Sequence, residues 1–132
     1  QPPMNCTLDW YERPDLLCYT TGGLYKTHAD AENYNSVSKM WEKVLDRDLS
    51  LLLYLNNDFS GGNLVFTKFN YHYQPQKGDL LVFPSDHRYE HRAEQVTAGT
   101  RYAVVSWAAI KDGERVNYRL PNNAIMMNDA SS

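Results

Sequence analysis

The sequence predicts an all-β core, a sandwich or jelly roll of about eight strands, on two observations. Short segments rich in β-branched, aromatic or leucine residues recur along the chain, and turn residues separate them. In order they are "LLCYTT" (16–21), the stretch 24–30, "LSLLLYLN" (49–56), "GNLVFT" (62–67), "NYHYQP" (70–75), "DLLVFP" (79–84), "HRAEQV" (91–96) and "RYAVVSWA" (101–108). "DFSGG" (58–62) and "KGD" (77–79) read as hairpin-type breaks. Pro75 and Pro84 fall at strand ends, where a missing N–H does no harm.

One stretch departs from this pattern. In "SVSKMWEKVLDRD" the apolar residues Val37, Met40, Trp41, Val44 and Leu45 recur at i, i+3, i+4, i+7 and i+8, the spacing of one helix face. The spacing predicts a short helix or ordered lid around 37–46, either covering a sheet face or gating a substrate.

The bulk properties bound the function. At 132 residues the chain is expected to form one domain, 1–132, with a flexible C-terminal tail over about 126–132 that includes "NDASS" from Asn128. A formal charge of −3, with 22% charged residues, provides no basic face for phosphates and argues against a nucleic-acid partner. No apolar run approaches the ~20 residues of a membrane helix. The N-terminus lacks a basic-then-apolar signal pattern, which makes the cytoplasm the default compartment. The sequence opens on Gln1, which reads as a trimmed chain. Cys6 and Cys18 do not form a CxxC pair; Cys18, within an apolar run, reads as a small buried hydrophobe, and no disulfide is indicated. Nothing in the sequence fixes an oligomeric state.

The chemistry begins at "YKTHAD". Two-residue spacing on an extended strand sets His28 and Asp30 on one face, so that imidazole and carboxylate can converge on one ion. That is half of a 2-His-1-carboxylate set, which leaves positions on Fe(II) open for a co-substrate and dioxygen. A second histidine must come from further along the chain. His72, His87 and His91 are the candidates, and His91, just ahead of a strand and beside the final one, is the best placed. An HxD pair by itself is a weak signal, since a lone histidine is more often a hydrogen-bonded surface or core residue than a metal ligand. Arg101 adds weight: it heads an apolar strand, where an inward charge is costly unless an anion awaits it. Its planar fork matches a carboxylate bidentately.

Four ordered stretches, "YTTGGLYKTHAD", "LLLYLNNDFSGGNLVF", "QPQKGDLLVFPSDHRYEH" and "TRYAVVSW", together resemble the catalytic core of the Fe(II)/2-oxoglutarate dioxygenases, in particular the prolyl 4-hydroxylases of the collagen and hypoxia-factor types. The resemblance covers about residues 16–110. It implies a double-stranded β-helix (jelly roll) in which His28, Asp30 and His91 hold Fe(II) and Arg101 pairs with the distal carboxylate of 2-oxoglutarate. It further implies that Tyr19 or Tyr54, each matching a tyrosine of one or other branch, hydrogen-bonds the same carboxylate, that Trp107 lines the co-substrate or substrate pocket, and that Tyr25 contacts substrate. Collagen-type enzymes usually carry lysine where Arg101 stands, and the hypoxia-factor type places its arginine one residue closer to the histidine. Residues 31–48, a neighbourhood that in the family helps to select substrate, match neither type. The helices that usually precede the core are nearly absent, as in a minimal domain.

The function so implied is hydroxylation of a C–H bond, foremost at C4 of a prolyl residue in a peptide or protein. Dioxygen is consumed, 2-oxoglutarate is decarboxylated to succinate and CO2, and ascorbate serves to re-reduce the iron. An aromatic-lined mouth suits the proline ring. The alternatives are the same chemistry on a free amino acid, another side chain or a nucleobase, and a jelly-roll binding module without catalysis.

Overall fold

The computed structural model describes residues 7–127. Its strands in chain order are β1 (Leu8–Glu12), β2 (Asp15–Tyr19), β3 (Tyr25–His28), β4 (Glu32–Asn35), β5 (Met40–Lys43), β6 (Leu49–Tyr54) and β7 (Ser60–Gly61). There follow β8 (Leu64–Phe66), β9 (Tyr71–Tyr73), β10 (Leu80–Pro84), β11 (His91–Ala93), β12 (Val96–Ala98), β13 (Arg101–Ile110) and β14 (Ala124–Met126). A single 3₁₀ turn, His87–Tyr89, is the only helical element among the described residues. No helix there is long and apolar enough to cross a membrane.

The strands form two main antiparallel sheets and two short ladders. The larger sheet has the order β10-β6-β13-β1-β14, and β2 also pairs with β13. The free edge of β13 is therefore shared: β2 takes its first half, Arg101 to Val105, and β1 its second. The smaller sheet runs β3-β11-β8-β9. Alternation sets which side chains enter the space between them. Tyr54 and Leu52 on β6, and Ala103 and Val105 on β13, are buried, while Leu53 between the first two and Tyr102 just before the second two face outward. They meet Leu64 and Phe66 of β8 and Phe83 of β10 in one core, where Phe66 and Phe83 pack edge to face at 5.1 Å. Burying each such large apolar side chain is worth about 1.5–3 kcal/mol.

The fold is the predicted all-β one, with differences in detail. Among the described residues the strands number fourteen, because "HRAEQV" divides into β11 and β12, while β1, β4, β5, β7 and β14 go unmarked by long apolar runs. "DFSGG" and "KGD" are not hairpin turns: each carries the chain from one main sheet to the other, β6 to β8 and β9 to β10. Gly61 must be glycine here, since a Cβ would stand 2.3 Å from the carbonyl oxygen of Gln95, just before β12.

The predicted helix around 37–46 is instead a β-hairpin, β4 paired with β5. A helix face forms only where something covers it, and Val37 is 92% exposed and Met40 63%. The local chemistry also favours a turn. The Asn35 side-chain oxygen accepts hydrogen bonds from the Val37 and Ser38 amides, and Lys39 adopts φ 58°. The hairpin is tied to the 3₁₀ turn: Glu32 accepts from the His87 amide and pairs with His87 Nδ1 at 2.7 Å, and the Trp41 ring stacks on the His87 imidazole at 5.2 Å.

Cys18 is exposed, not buried, because β2 turns Leu17 and Tyr19 inward and Leu16 and Cys18 out. Cys6 lies outside the described residues. Of the expected flexible tail, Met126 is paired with Trp10 in β14, and residues 128–132 lie outside the described residues.

Candidate active site

The β3–β11 pairing sets His91 directly opposite His28. Their rings lie 4.5 Å apart. β3 ends at His28, so Asp30 stands not on the strand but in the bend after it, where the Ala31 amide is fixed to the Ser85 carbonyl. The bend still delivers the carboxylate: Asp30 Oδ1 is 3.0 Å from His28 Nε2 and 3.5 Å from His91 Nε2. One ligand atom from each of the three residues falls within 4.8 Å of the others. His72, exposed on β9, and His87, paired with Glu32, do not join them.

Each ring is oriented in the same way. His28 Nδ1 lies 2.9 Å from the Lys26 carbonyl and His91 Nδ1 2.9 Å from the Tyr89 carbonyl. A carbonyl only accepts, so Nδ1 donates in both, and Nε2 is the atom turned to the carboxylate. The other carboxylate oxygen, Asp30 Oδ2, accepts from Ser50 Oγ at 2.6 Å, and Ser50 in turn meets Ser85 Oγ at 2.8 Å. Both serines are fully buried. Two imidazole nitrogens and a carboxylate, each held from behind, are a donor set suited to Fe(II).

The electrostatics agree with that geometry. Burial alone would raise the Asp30 pKa, but the His28 hydrogen bond, the nearby His91 and the Ser50 hydroxyl outweigh it and hold the carboxyl at about 2. Burial would lower His28, and its bonds to Asp30 and to the Lys26 carbonyl raise it instead. His91, more deeply set, is lowered by burial.

These ligands line one side of a cavity of about 510 Å³ between the main sheets, and Arg101 lines another part of it. Arg101 is 4% exposed and faces inward. Its Nη1 donates to the Gly62 carbonyl at 2.8 Å, while its buried Nε has no partner. The guanidinium lies 4.3 Å from the Tyr19 ring centre and 5.9 Å from that of Tyr54. Among the described residues it makes no ion pair. A buried guanidinium with an unused N–H fits the carboxylate end of 2-oxoglutarate, since a buried cation is stable only when paired. Burial raises the phenol of Tyr19 and pushes that of Tyr54 up to about 12, leaving both as neutral hydroxyls able to donate.

Trp107 lines the same cavity, with its buried Nε1 unpartnered and the Arg47 guanidinium 3.7 Å from its ring centre. Tyr25, nearly half exposed, stands at the edge with its ring 4.3 Å from that of His28. The structure thus brings all eight residues singled out from the sequence to one cavity. Three others escaped notice. Ser50 left a faint signal, a serine inside the apolar run "LSLLLYLN"; Ser85 and Arg47 left none, because only the folded chain brings them to Asp30.

The chain is similar to known proteins. A PKHD-type hydroxylase of Synechococcus sp. (strain JA-3-3Ab) is 33% identical over 105 residues, 72% of this chain and 44% of that one. Prolyl 3-hydroxylase 1 of Homo sapiens is 41% identical over 66 residues, 46% of this chain and 9% of its own. Among solved structures, a prolyl hydroxylase of Trichoplax adhaerens, in complex with a hypoxia inducible factor oxygen degradation domain peptide fragment, superposes with a TM-score of 0.64 at 26% identity, covering 82% of this chain and 48% of that one. The chain spans less than half the length of each of these relatives. The description "2OG-Fe(II) oxygenase superfamily" fits residues 14–109, a stretch that holds both sides of the cavity, and it is to this superfamily that the chain belongs.

Proposed function

We propose that the chain is a prolyl hydroxylase domain acting on a peptide or protein, with hydroxylation at C4 of the proline ring. Bound Fe(II) and 2-oxoglutarate supply the chemistry, in which O2 is consumed, 2-oxoglutarate leaves as succinate and CO2, and one oxygen atom enters a substrate C–H bond. Ascorbate keeps the iron reduced. The observation that carries the reading is the pairing, within one cavity, of a three-ligand cluster with a buried arginine whose Nε is unused.

The residues divide the work between them. His28, Asp30 and His91 hold the metal, and the Lys26 and Tyr89 carbonyls keep both Nδ1 atoms protonated so that Nε2 faces inward. Arg101 binds the far carboxylate of 2-oxoglutarate, and Tyr54 and Tyr19, flanking its guanidinium, offer neutral hydroxyl donors beside it. Leu17, Leu64 and Val105 exclude water from that end. Tyr25 and Trp107 form walls against which a proline ring can lie, and the β4–β5 hairpin, which contributes Glu32 and Asn33, borders the mouth.

The test is incubation with Fe(II), 2-oxoglutarate, ascorbate and proline-containing peptides, read as succinate release and a gain of one oxygen atom in the peptide. Release coupled to a peptide but not to free proline supports the reading. Coupling to free amino acids or nucleobases alone would overturn the peptide assignment. A second reading, hydroxylation at C3, is favoured by the 41% identity to prolyl 3-hydroxylase 1, and NMR of the hydroxylated residue separates the two.

A further inference from the structure

β1 and β14 lie outside residues 14–109, yet a side chain from β1 reaches toward the cavity. Glu12 is 4% exposed. Its two carboxylate oxygens accept from Arg47, Oε2 from Nε at 2.6 Å and Oε1 from Nη2 at 2.9 Å. The remaining arm of Arg47, Nη1, donates to the main-chain carbonyl of Asp30 at 3.2 Å, and the guanidinium carbon stands 3.7 Å over the centre of the Trp107 ring. Glu12 is itself held. Its carbonyl accepts from Ser106 Oγ, Asn123 Nδ2 reaches its Oε1 at 3.3 Å, and its backbone pairs with Ala124 of β14.

We propose that Glu12 is a positioning residue for the metal site, acting through Arg47 on the bend that carries Asp30. The physical argument is one of geometry. Asp30 follows the end of β3, so no ladder bond fixes its carbonyl; Ala31 is held at its amide by Ser85 and at its carbonyl by the Val44 and Leu45 amides, and Ser50 holds the Asp30 side chain, but the Asp30 carbonyl itself is held by Arg47. An arginine at a cavity wall has many rotamers, and a bidentate carboxylate selects one. With Glu12 in place, the same guanidinium fixes the carbonyl of a metal ligand and braces Trp107. Without it, Arg47 is free to swing into the cavity, and both contacts go together. Such outer partners commonly matter about 10- to 100-fold in metal affinity.

The inference rests on the metal-site part of the proposed function, and its test reads metal binding without turnover. Co(II) is titrated into the full chain and followed by its visible ligand-field spectrum. Glu12→Gln keeps the shape but loses the charge and one acceptor; Arg47→Lys keeps the charge but loses the fork, and serves if Glu12→Gln does not fold. Each is expected to weaken Co(II) by about tenfold. The pair combined should lose no more than either one, the non-additivity expected of groups acting in series. Asp9→Asn, which breaks the Asp9–Arg115 pair on the same strand, is the control for simple loosening of β1 and should bind Co(II) like the unaltered chain. Unchanged affinity in Glu12→Gln and Arg47→Lys, additive losses, or an equal loss in Asp9→Asn would overturn the proposal while leaving the metal site standing. Absence of Co(II) binding by the unaltered chain would overturn the metal site itself, and this inference with it.

Discussion

The two ends of the cavity are built in opposite senses. At the β3–β11 end, two Nε2 atoms and a carboxylate crowd together, and every atom behind them is engaged by a carbonyl or a serine. At the other end a guanidinium is buried against aromatic faces and one carbonyl, with Nε bonded to nothing. One end attracts a cation and the other an anion. On the proposed function, the contrast means that the cavity would select a ligand by its two termini, a metal-chelating head and an anionic tail, with the apolar walls between them setting its length.

Breaking the acceptor end has the largest expected effect. Asp30→Ala removes the one carboxylate of the set, and succinate release falls to background. Release comparable with that of the unaltered chain would take Asp30 out of the site. Arg101→Ala breaks the donor end and leaves the acceptor end alone. It forfeits a charged hydrogen bond worth about 1.5–3 kcal/mol, which raises the 2-oxoglutarate requirement roughly tenfold to hundredfold. Co(II) affinity without 2-oxoglutarate should not move; if it falls equally, the two ends are not independent.

A pH experiment sharpens the comparison in the metal-free chain. Asp30 is held at about 2 against an ordinary 3.8. A carboxyl whose folded pKa is depressed contributes stability above its unfolded value and loses it as pH falls through the folded one, so the loss runs from about pH 4 to about pH 2. It amounts to about 2 kcal/mol. Denaturant titrations across that window should show the slope, and Asp30→Asn should flatten it; an unchanged slope would mean that other carboxyls carry the acid transition. The smallest effect is expected at the mouth. Trp41→Ala removes the stack on His87 that helps to hold the hairpin, an aromatic contact worth about 0.5–1.5 kcal/mol. KM for a peptide substrate should rise roughly twofold to tenfold, with the 2-oxoglutarate requirement unchanged. An unmoved KM would separate the hairpin from substrate binding.

What could be read from the sequence follows the range of the forces involved. The apolar runs at 49–56 and 101–108 betray β6 and β13 because burial on one face of a strand imposes local alternation. His28 and Asp30 are close in sequence, and Arg101 stands out as a charge at the head of an apolar run. His91 was legible only by position among three histidines; what unites it with His28 is a cross-strand register that no local pattern encodes. The stretch 37–46 misleads because its helical spacing is real while its covering surface is not. Glu12 is likewise silent, since its meaning depends on Arg47, brought to it only by the pairing of β1 with β13.

The direct pairing of His28 with His91 has a consequence for the covalent path between them. Because the ligands are set side by side by ladder bonds and not by the intervening chain, continuity along that path is not what keeps them together. Val37, at the tip of the hairpin and 92% exposed, lies on the path and away from the ladder. A chain severed there should reassemble from two pieces, one bearing His28 and Asp30 and the other His91 and Arg101. Metal and co-substrate would then join polypeptides that neither could bind alone.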